Sequence, residues 1–309
     1  MIRATLLKLS ESKRLAPLIM RNGISRRVSQ RFVAGEKLED AIEAARTLNR
    51  GGMSASLDLL GENVSDEAGA QRACERYLAM FDRIATEKLD ANVSLKLTQL
   101  GLDLGEELCE KLLEKIVEHA TEQGNFVRVD MEGSAYTTRT VEMTKRVRAK
   151  YKGVGTVMQA YLYRAGKDIE GLLAAGCRLR LCKGAYKEPA EIAFPEKKDV
   201  DANYVNLMKV LLPSGIYHAI ATHDPAMIQA TKNFAKERKI SPDRFEFQML
   251  YGIRPDLQRR LVREGYMMRV YIPFGTDWFP YFMRRLAERP ANLAFFLRNL
   301  VPRASHDGP

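Results

Sequence analysis

Apolar and polar positions along the 309-residue chain follow two different periods. Leu38, Ile42, Ala45 and Leu48 recur at the spacing of one helical face, and Gly51-Gly52 then ends the segment. With the residues before it, this predicts an N-terminal helical arm over residues 1–52. Beyond it, short apolar runs alternate with longer amphipathic segments, the pattern of repeated strand–helix units. The runs are Ser54 to Leu60, Asn92 to Thr98, Phe126 to Met131, Thr156 to Leu162, Arg178 to Lys183, His218 to His223, Phe245 to Leu250 and Met268 to Ile272. Between them lie segments such as Glu106 to Gln123, where Leu108, Leu112, Ile116 and Ala120 form one stripe and Gly124 supplies the stop. Ser65 followed by Asp66 and Glu67, Asp224 before Pro225, and Pro255 before Asp256 mark further helix starts.

Eight such repeats, with no composition break or flexible linker between them, predict an α/β fold: a (β/α)8 TIM-type barrel over residues 53–302 with the N-terminal helical arm attached. A doubly wound nucleotide fold would carry a Gly-rich fingerprint, which this chain lacks. Residues 303–309 are short and polar and end in Gly-Pro, so they are expected to form a disordered tail.

An apolar fraction of 46% supplies ample material for one large core. Cys74, Cys109, Cys177 and Cys182 lack the spacings of zinc sites or disulfide frameworks, so no metal is expected and a reducing, cytoplasmic home is. The start of the chain does not read as a signal peptide, and no stretch approaches membrane-spanning length. The net charge of +10 would suit nucleic acid, an anionic membrane face or an acidic ligand. Lys and Arg are spread along the chain without a nucleic-acid-binding motif, so no nucleic-acid partner is expected.

Barrel enzymes place their chemistry at the carboxyl ends of the strands, and this sequence fills those positions with polar groups. They are Glu62, Lys96, Thr98, Asp130, Glu132, Gln159, Arg180, Lys183, Tyr186, Thr222, His223, Gln248 and Tyr271. Charges buried at a barrel lip are costly unless paired with each other or with a ligand, so the ring implies an anionic guest. Structural ion pairs, Lys96 with Asp130 and Glu62 with an arginine, are the plainer explanation of any single pair. On the last helical segment Tyr281, Arg284 and Arg285 fall at i, i+3 and i+4, one face, where two guanidinium groups can clamp one carboxylate. Asp224 suits a helix cap, and His218 reads as a strand start without a functional role.

These residues occur in the segments SLDLLGE, VSLKLTQLG, VRVDME, VMQAYLYR, RLRLCKGAY, ATHD, FEFQMLYG and VYIPFG, followed by YFMRRLAE. In that order they resemble the catalytic domain of proline dehydrogenases, particularly the short monofunctional bacterial enzymes, over almost all of Ser54 to Asn299. The resemblance implies an FAD-binding barrel that oxidises L-proline to Δ1-pyrroline-5-carboxylate, the first step of proline breakdown to glutamate, with a membrane quinone as acceptor. It implies that Lys96, Asp130, Tyr186, Leu250, Tyr271, Tyr281, Arg284 and Arg285 enclose proline. Arg284 and Arg285 would take the carboxylate, Lys96 would add positive charge, and Asp130 would hold Lys96 in place. Arg180 would approach the reactive flavin nitrogen and Gln159 the flavin's polar edge, Asp130 and Arg180 being the catalytic pair. Met131, Cys182, Lys183, Gly184, Ala185, Thr222 and His223 would hold the rest of FAD, and Glu62 would pair with Arg284 as a gate.

Some relatives have Asn where Asp224 stands, and larger bifunctional members have Trp at the position of Lys187; both bear on FAD conformation. The Phe274 to Pro280 loop is shorter than in the bifunctional enzymes, so their lid geometry does not carry over. Two other readings fit the residues alone: a flavin-free barrel enzyme acting on a small anionic metabolite, and a basic membrane-surface adaptor. A weak peripheral contact with the inner face of the cell membrane is compatible with the enzyme reading, because a quinone acceptor resides there.

Overall fold

A computed structural model describes residues 31–61, 63–186 and 188–288, with the side chains of residue 284 and of residues 286–288 outside the description. Along the chain it gives α1 (Leu38–Arg50), β1 (Ser54–Leu59), α2 (Glu67–Thr86), β2 (Ala91–Leu95), α3 (Glu106–Glu122), β3 (Val127–Val129), α4 (Ser134–Lys150) and β4 (Val154–Gln159). It continues with α5 (Ala165–Ala174), β5 (Arg178–Cys182), α6 (Lys197–Leu211), β6 (His218–Ala221), α7 (Pro225–Glu237), β7 (Phe245–Leu250), α8 (Pro255–Arg263), β8 (Met267–Phe274) and α9 (Trp278–Glu288). The eight strands are parallel and hydrogen-bonded in sequence order, and β8 pairs with β1, so the sheet closes into a barrel ringed by helices. This is the expected (β/α)8 architecture. The expected tail at 303–309 and the first thirty residues of the expected arm lie outside the described residues.

Strand alternation explains how one sequence serves two environments. Leu57, Val93, Val129, Leu179, Leu181, Ile220, Phe247, Met249, Val270 and Ile272 join the apolar layer between strands and helices. The intervening positions, among them Ser56, Asp58, Ser94, Arg128, Arg180, Glu246 and Gln248, are polar or charged and equally buried. Most barrels fill their interior with branched aliphatic side chains. Here a polar column runs along the axis: Arg269 Nε donates to Glu246 Oε1 at 3.0 Å, Gln248 Nε2 to the same oxygen, and Arg180 Nε to Gln248 Oε1.

The helices begin where local chemistry caps them. Asp66 accepts from Gly69 N to start α2, so the cap is Asp66 and not the preceding Ser65. Asp224 accepts from Ala226 N ahead of Pro225 at the first turn of α7. The helix α1 buries Ala41, Ile42 and Ala45 in the main core and packs against β8 and β1, covering the seam where the barrel closes.

His218 opens β6 and is fully buried; its Nδ1 accepts from Leu179 N at 3.0 Å and its Nε2 contacts Ser214 Oγ at 2.9 Å. Burial, helped by the positive charge of Arg128, pushes its pKa down to about 3 from the usual 6.5. The unfolded chain therefore takes up this proton first, and stability falls as pH drops from about 6.5 toward about 3. A group shifted this way contributes up to about 1.4 kcal/mol per pH unit inside the window. Urea unfolding of wild type and His218→Asn at pH 7 and pH 4.5 is expected to show a smaller acid loss in the variant.

Candidate active site

At the carboxyl ends of the strands the barrel opens into a cavity of about 870 Å³. Its floor is charged. Lys96, just past β2, forms a 2.8 Å ion pair with Asp58 near the end of β1, and both side chains are buried. Asp130, just past β3, pairs with Arg180 Nη1 at 2.7 Å and accepts from Tyr271 OH at 2.7 Å. The expectation that Asp130 holds Lys96 is thus corrected. The adjacent strands β1 and β2 are in register at Asp58 and Ser94, which puts Lys96 in reach of Asp58. Asp130 instead meets the longer side chain that crosses from β5.

Arg180 is the centre of this floor. Its Nη2 reaches Ser94 Oγ at 3.0 Å and Ser56 Oγ at 3.4 Å, its Nε donates to Gln248, and its guanidinium carbon lies 5.2 Å from the Tyr271 ring centroid. Anchors from β1, β2, β3, β7 and β8 leave the guanidinium little freedom.

The electrostatics follow from burial. Loss of water raises the Asp58 carboxyl above its usual pKa, against the pull of Lys96 and with the added push of Asp130. Burial opposes the Lys96 ammonium, but Asp58 and Asp130 outweigh it and hold that pKa above the ordinary lysine value. Tyr271 is driven well above its usual pKa, first by burial and then by Asp130, so its hydroxyl stays protonated and donates. Burial pushes the Cys182 thiol up to about 12, which makes it a neutral wall group and a poor nucleophile.

One wall comes from the ends of β4 to β6. Gln159 donates through Nε2 to Glu132 O at 3.0 Å and accepts at Oε1 from Ala185 N at 3.1 Å, tying three loops together. Gly184 lies in the left-handed region at φ +132°, and a Cβ there would sit 2.5 Å from the Tyr161 ring, so only glycine fits. Lys183 pairs with Asp201 of α6 and, at 2.7 Å, with Asp224, the cap of α7. His223 Nε2 accepts from Leu250 N at 2.9 Å, and Thr222 Oγ1 accepts from Asp224 N at 3.0 Å. Met131, Cys182, Thr222 and His223 all face the cavity.

The opposite wall is Leu250, Phe279, Tyr281 and Arg285, with Tyr186 at the rim. Arg285 is 7% exposed, and its guanidinium carbon lies 5.0 Å from the Tyr281 ring centroid. Arg284 lies within α9, but its side chain is outside the description, as is Glu62, so the proposed gate pair falls outside the described residues. Every other residue that the resemblance places in the site lines this one cavity. Thr98 and Glu132 of the expected polar ring are not part of its lining: Thr98 Oγ1 donates to Glu132 Oε1 at 2.7 Å, and both are buried. Reading the sequence missed Asp58, Ser56 and Ser94. The signal was present in SLDLLGE, where polar residues occupy alternate positions of an apolar strand. Among the described residues, no cluster of His, Cys, Asp and Glu could hold a metal, and no helix is long and apolar enough to cross a membrane.

A parallel barrel whose carboxyl-end mouth carries a buried Lys–Asp pair, a multiply anchored arginine and an Arg–Tyr wall is the frame of an enzyme for a small anionic substrate. Residues 41–298 match the family model described as proline dehydrogenase. Proline dehydrogenase 1 of Bacillus subtilis strain 168 is 44% identical over 97% of this chain and 99% of its own length. Proline dehydrogenase of Deinococcus radiodurans is 40% identical over 89% and 90% respectively. Among solved structures, the proline utilization A protein from Bdellovibrio bacteriovorus inactivated by N-propargylglycine superposes with a TM-score of 0.82 at 26% identity. That match covers 91% of this chain and 34% of that much longer one. The chain belongs to the proline dehydrogenase family, among its monofunctional oxidoreductases.

Proposed function

We propose that this enzyme oxidises L-proline to Δ1-pyrroline-5-carboxylate with FAD seated in the barrel mouth and a membrane quinone as the final acceptor. The observation that carries the reading is the single cavity that unites Lys96, Asp130, Arg180, Tyr271, Tyr281 and Arg285. The cavity is far larger than proline alone needs, which fits a second, larger guest. Its donor set also fits a flavin: Arg180 and Gln159 offer N–H groups to a polar ring edge, while Val157, Ala221 and Met249 supply apolar surface. Lys183 and Lys197 bring positive charge toward a pyrophosphate.

FAD, when bound, supplies the acceptor for the hydride that leaves the ring carbon beside proline's nitrogen. The residues of the chain position the substrate for that transfer. Arg285, with its helix neighbour Arg284, takes the carboxylate. Lys96, held cationic by Asp58 and Asp130, adds positive potential on the same side. Tyr271 and Tyr281 enclose the ring. Asp130 acts through its bonds to Arg180 and Tyr271, fixing the guanidinium that faces the flavin. Cytoplasmic residence with a weak contact at the membrane face, in which the expected N-terminal arm would take part, suits a quinone acceptor.

The test is an absorbance spectrum of the purified protein before and after anaerobic addition of L-proline. Flavin bands that bleach with proline are expected. A colourless folded protein that does not take up FAD would refute the cofactor and favour a flavin-free barrel enzyme. A yellow protein that proline fails to bleach would refute the substrate.

A further inference from the structure

We infer that the amino-terminal mouth of the barrel is a second binding site, for a small ligand that carries two or more anionic groups, such as a di- or tricarboxylate or a phosphate compound. A cavity of about 620 Å³ opens there, at the end of the axis opposite the active site. Lys88, Arg128, Lys152, Arg178 and Arg269 line it, against two carboxylates, Asp90 and Glu246. Those carboxylates are engaged. Glu246 accepts from Arg269 at 3.0 and 3.1 Å and from Tyr217 OH at 3.2 Å, and Asp90 accepts from Ser54 Oγ at 2.6 Å. Arg269 also lies 3.9 Å from Asp90. Among the described residues, Lys88, Arg128, Lys152 and Arg178 have no carboxylate within 4.0 Å.

Arg128 shows that this is a built site and not a scatter of surface charge. It is 3% exposed, and its Nη1 donates to Thr156 O at 3.0 Å and Arg178 O at 2.6 Å, while its buried Nε has no partner. A buried cation with no carboxylate in contact is costly, and two carbonyls do not neutralise it. Burial, with the repulsion of Arg180, lowers its pKa to about 9, and the more distant charges of Glu246 and Asp130 offset this only in part. The groups are also held in place. The guanidinium carbons of Arg128 and Arg178 lie 4.8 and 5.3 Å from the centroid of the same Phe126 ring, and Arg178 reaches Tyr217 as well, at 5.6 Å. Lys88 and Lys152, both exposed on the loops after α2 and α4, complete the rim. Four cations with no carboxylate in contact, around one concave space, exceed what a single carboxylate would neutralise. A ligand with at least two anionic groups matches them, through charge-assisted bonds to the planar guanidinium forks.

Calorimetric titration of the holoenzyme at low salt, with citrate and with pyrophosphate, tests the site. One-to-one binding of at least one probe is expected, tenfold or more weaker in the Lys88→Gln/Lys152→Gln variant and unchanged in Arg285→Met. The two lysines are exposed, so that variant keeps the fold; Arg128→Met, checked for folding by circular dichroism, reads the buried group. Citrate alone binding assigns a carboxylate ligand, and pyrophosphate alone a phosphate ligand. No binding of either probe, equal affinity in the lysine variant, or loss in Arg285→Met would overturn the inference.

Discussion

Asp130→Ala is expected to lower kcat/KM for L-proline by about 10²- to 10³-fold, a loss of roughly 3–4 kcal/mol of transition-state stabilisation at 1.4 kcal/mol per decade. Both oxygens of Asp130 are committed, one to Arg180 Nη1 and the other to Tyr271 OH, each at 2.7 Å. Truncation leaves the Arg180 guanidinium buried without its carboxylate, and breaking a buried pair this way costs about 3–5 kcal/mol. Part of that cost appears as lower stability and part as a misplaced guanidinium. Asp130→Asn keeps an acceptor for Tyr271 while removing the charge, so its activity should lie between those of wild type and Asp130→Ala. Steady-state kinetics with flavin content and unfolding midpoint measured alongside check this. A fall of less than about threefold in the alanine variant would show that the carboxylate does not position Arg180.

Arg285→Met should raise the KM for L-proline by about 10²-fold while the flavin stays bound. Charge-assisted hydrogen bonds contribute about 1.5–3 kcal/mol each, and a planar guanidinium can give a carboxylate two. Methionine keeps the length and the contact with the Tyr281 ring, so the loss isolates the charge and the fork. The separation of KM from kcat is the informative reading, because an arginine that only packs α9 against the barrel would move stability instead. An unchanged KM would remove Arg285 from the carboxylate site.

The order of elements was legible because each strand run is short, apolar and bounded by turn or cap residues. Phe245–Leu250 was read to the residue, whereas β2 and β3 proved shorter than their runs, since Lys96 and Asp130 turn out of the ladder into the site. Alternation along a strand tells which side chains share a face. Which of them meet across a closed barrel depends on tilt and register, which no local pattern contains. That is why Lys96 was joined to Asp130 although its partner is Asp58, and why the Arg180–Gln248 contact had no trace in the spacing. Arg128 and Arg178 show the same limit at the other mouth. As polar residues in apolar strands they look no different from Arg180, and only the fold assigns them to opposite ends.

The closure of the barrel has a consequence for how the chain is made. Arg269 Nη1 donates to Ala55 O across 214 residues, and the same arginine neutralises Glu246 from inside the sheet. A nascent chain still short of β8 has all the interior acids and bases of the first seven strands but lacks the members that complete the column, Arg269 and Tyr271. Its apolar outer layer can collapse while its axis remains hydrated. Productive docking of the last strand therefore waits until synthesis has passed residue 274, and a ribosome-stalled fragment ending before it should stay protease-sensitive along the open edge of β1.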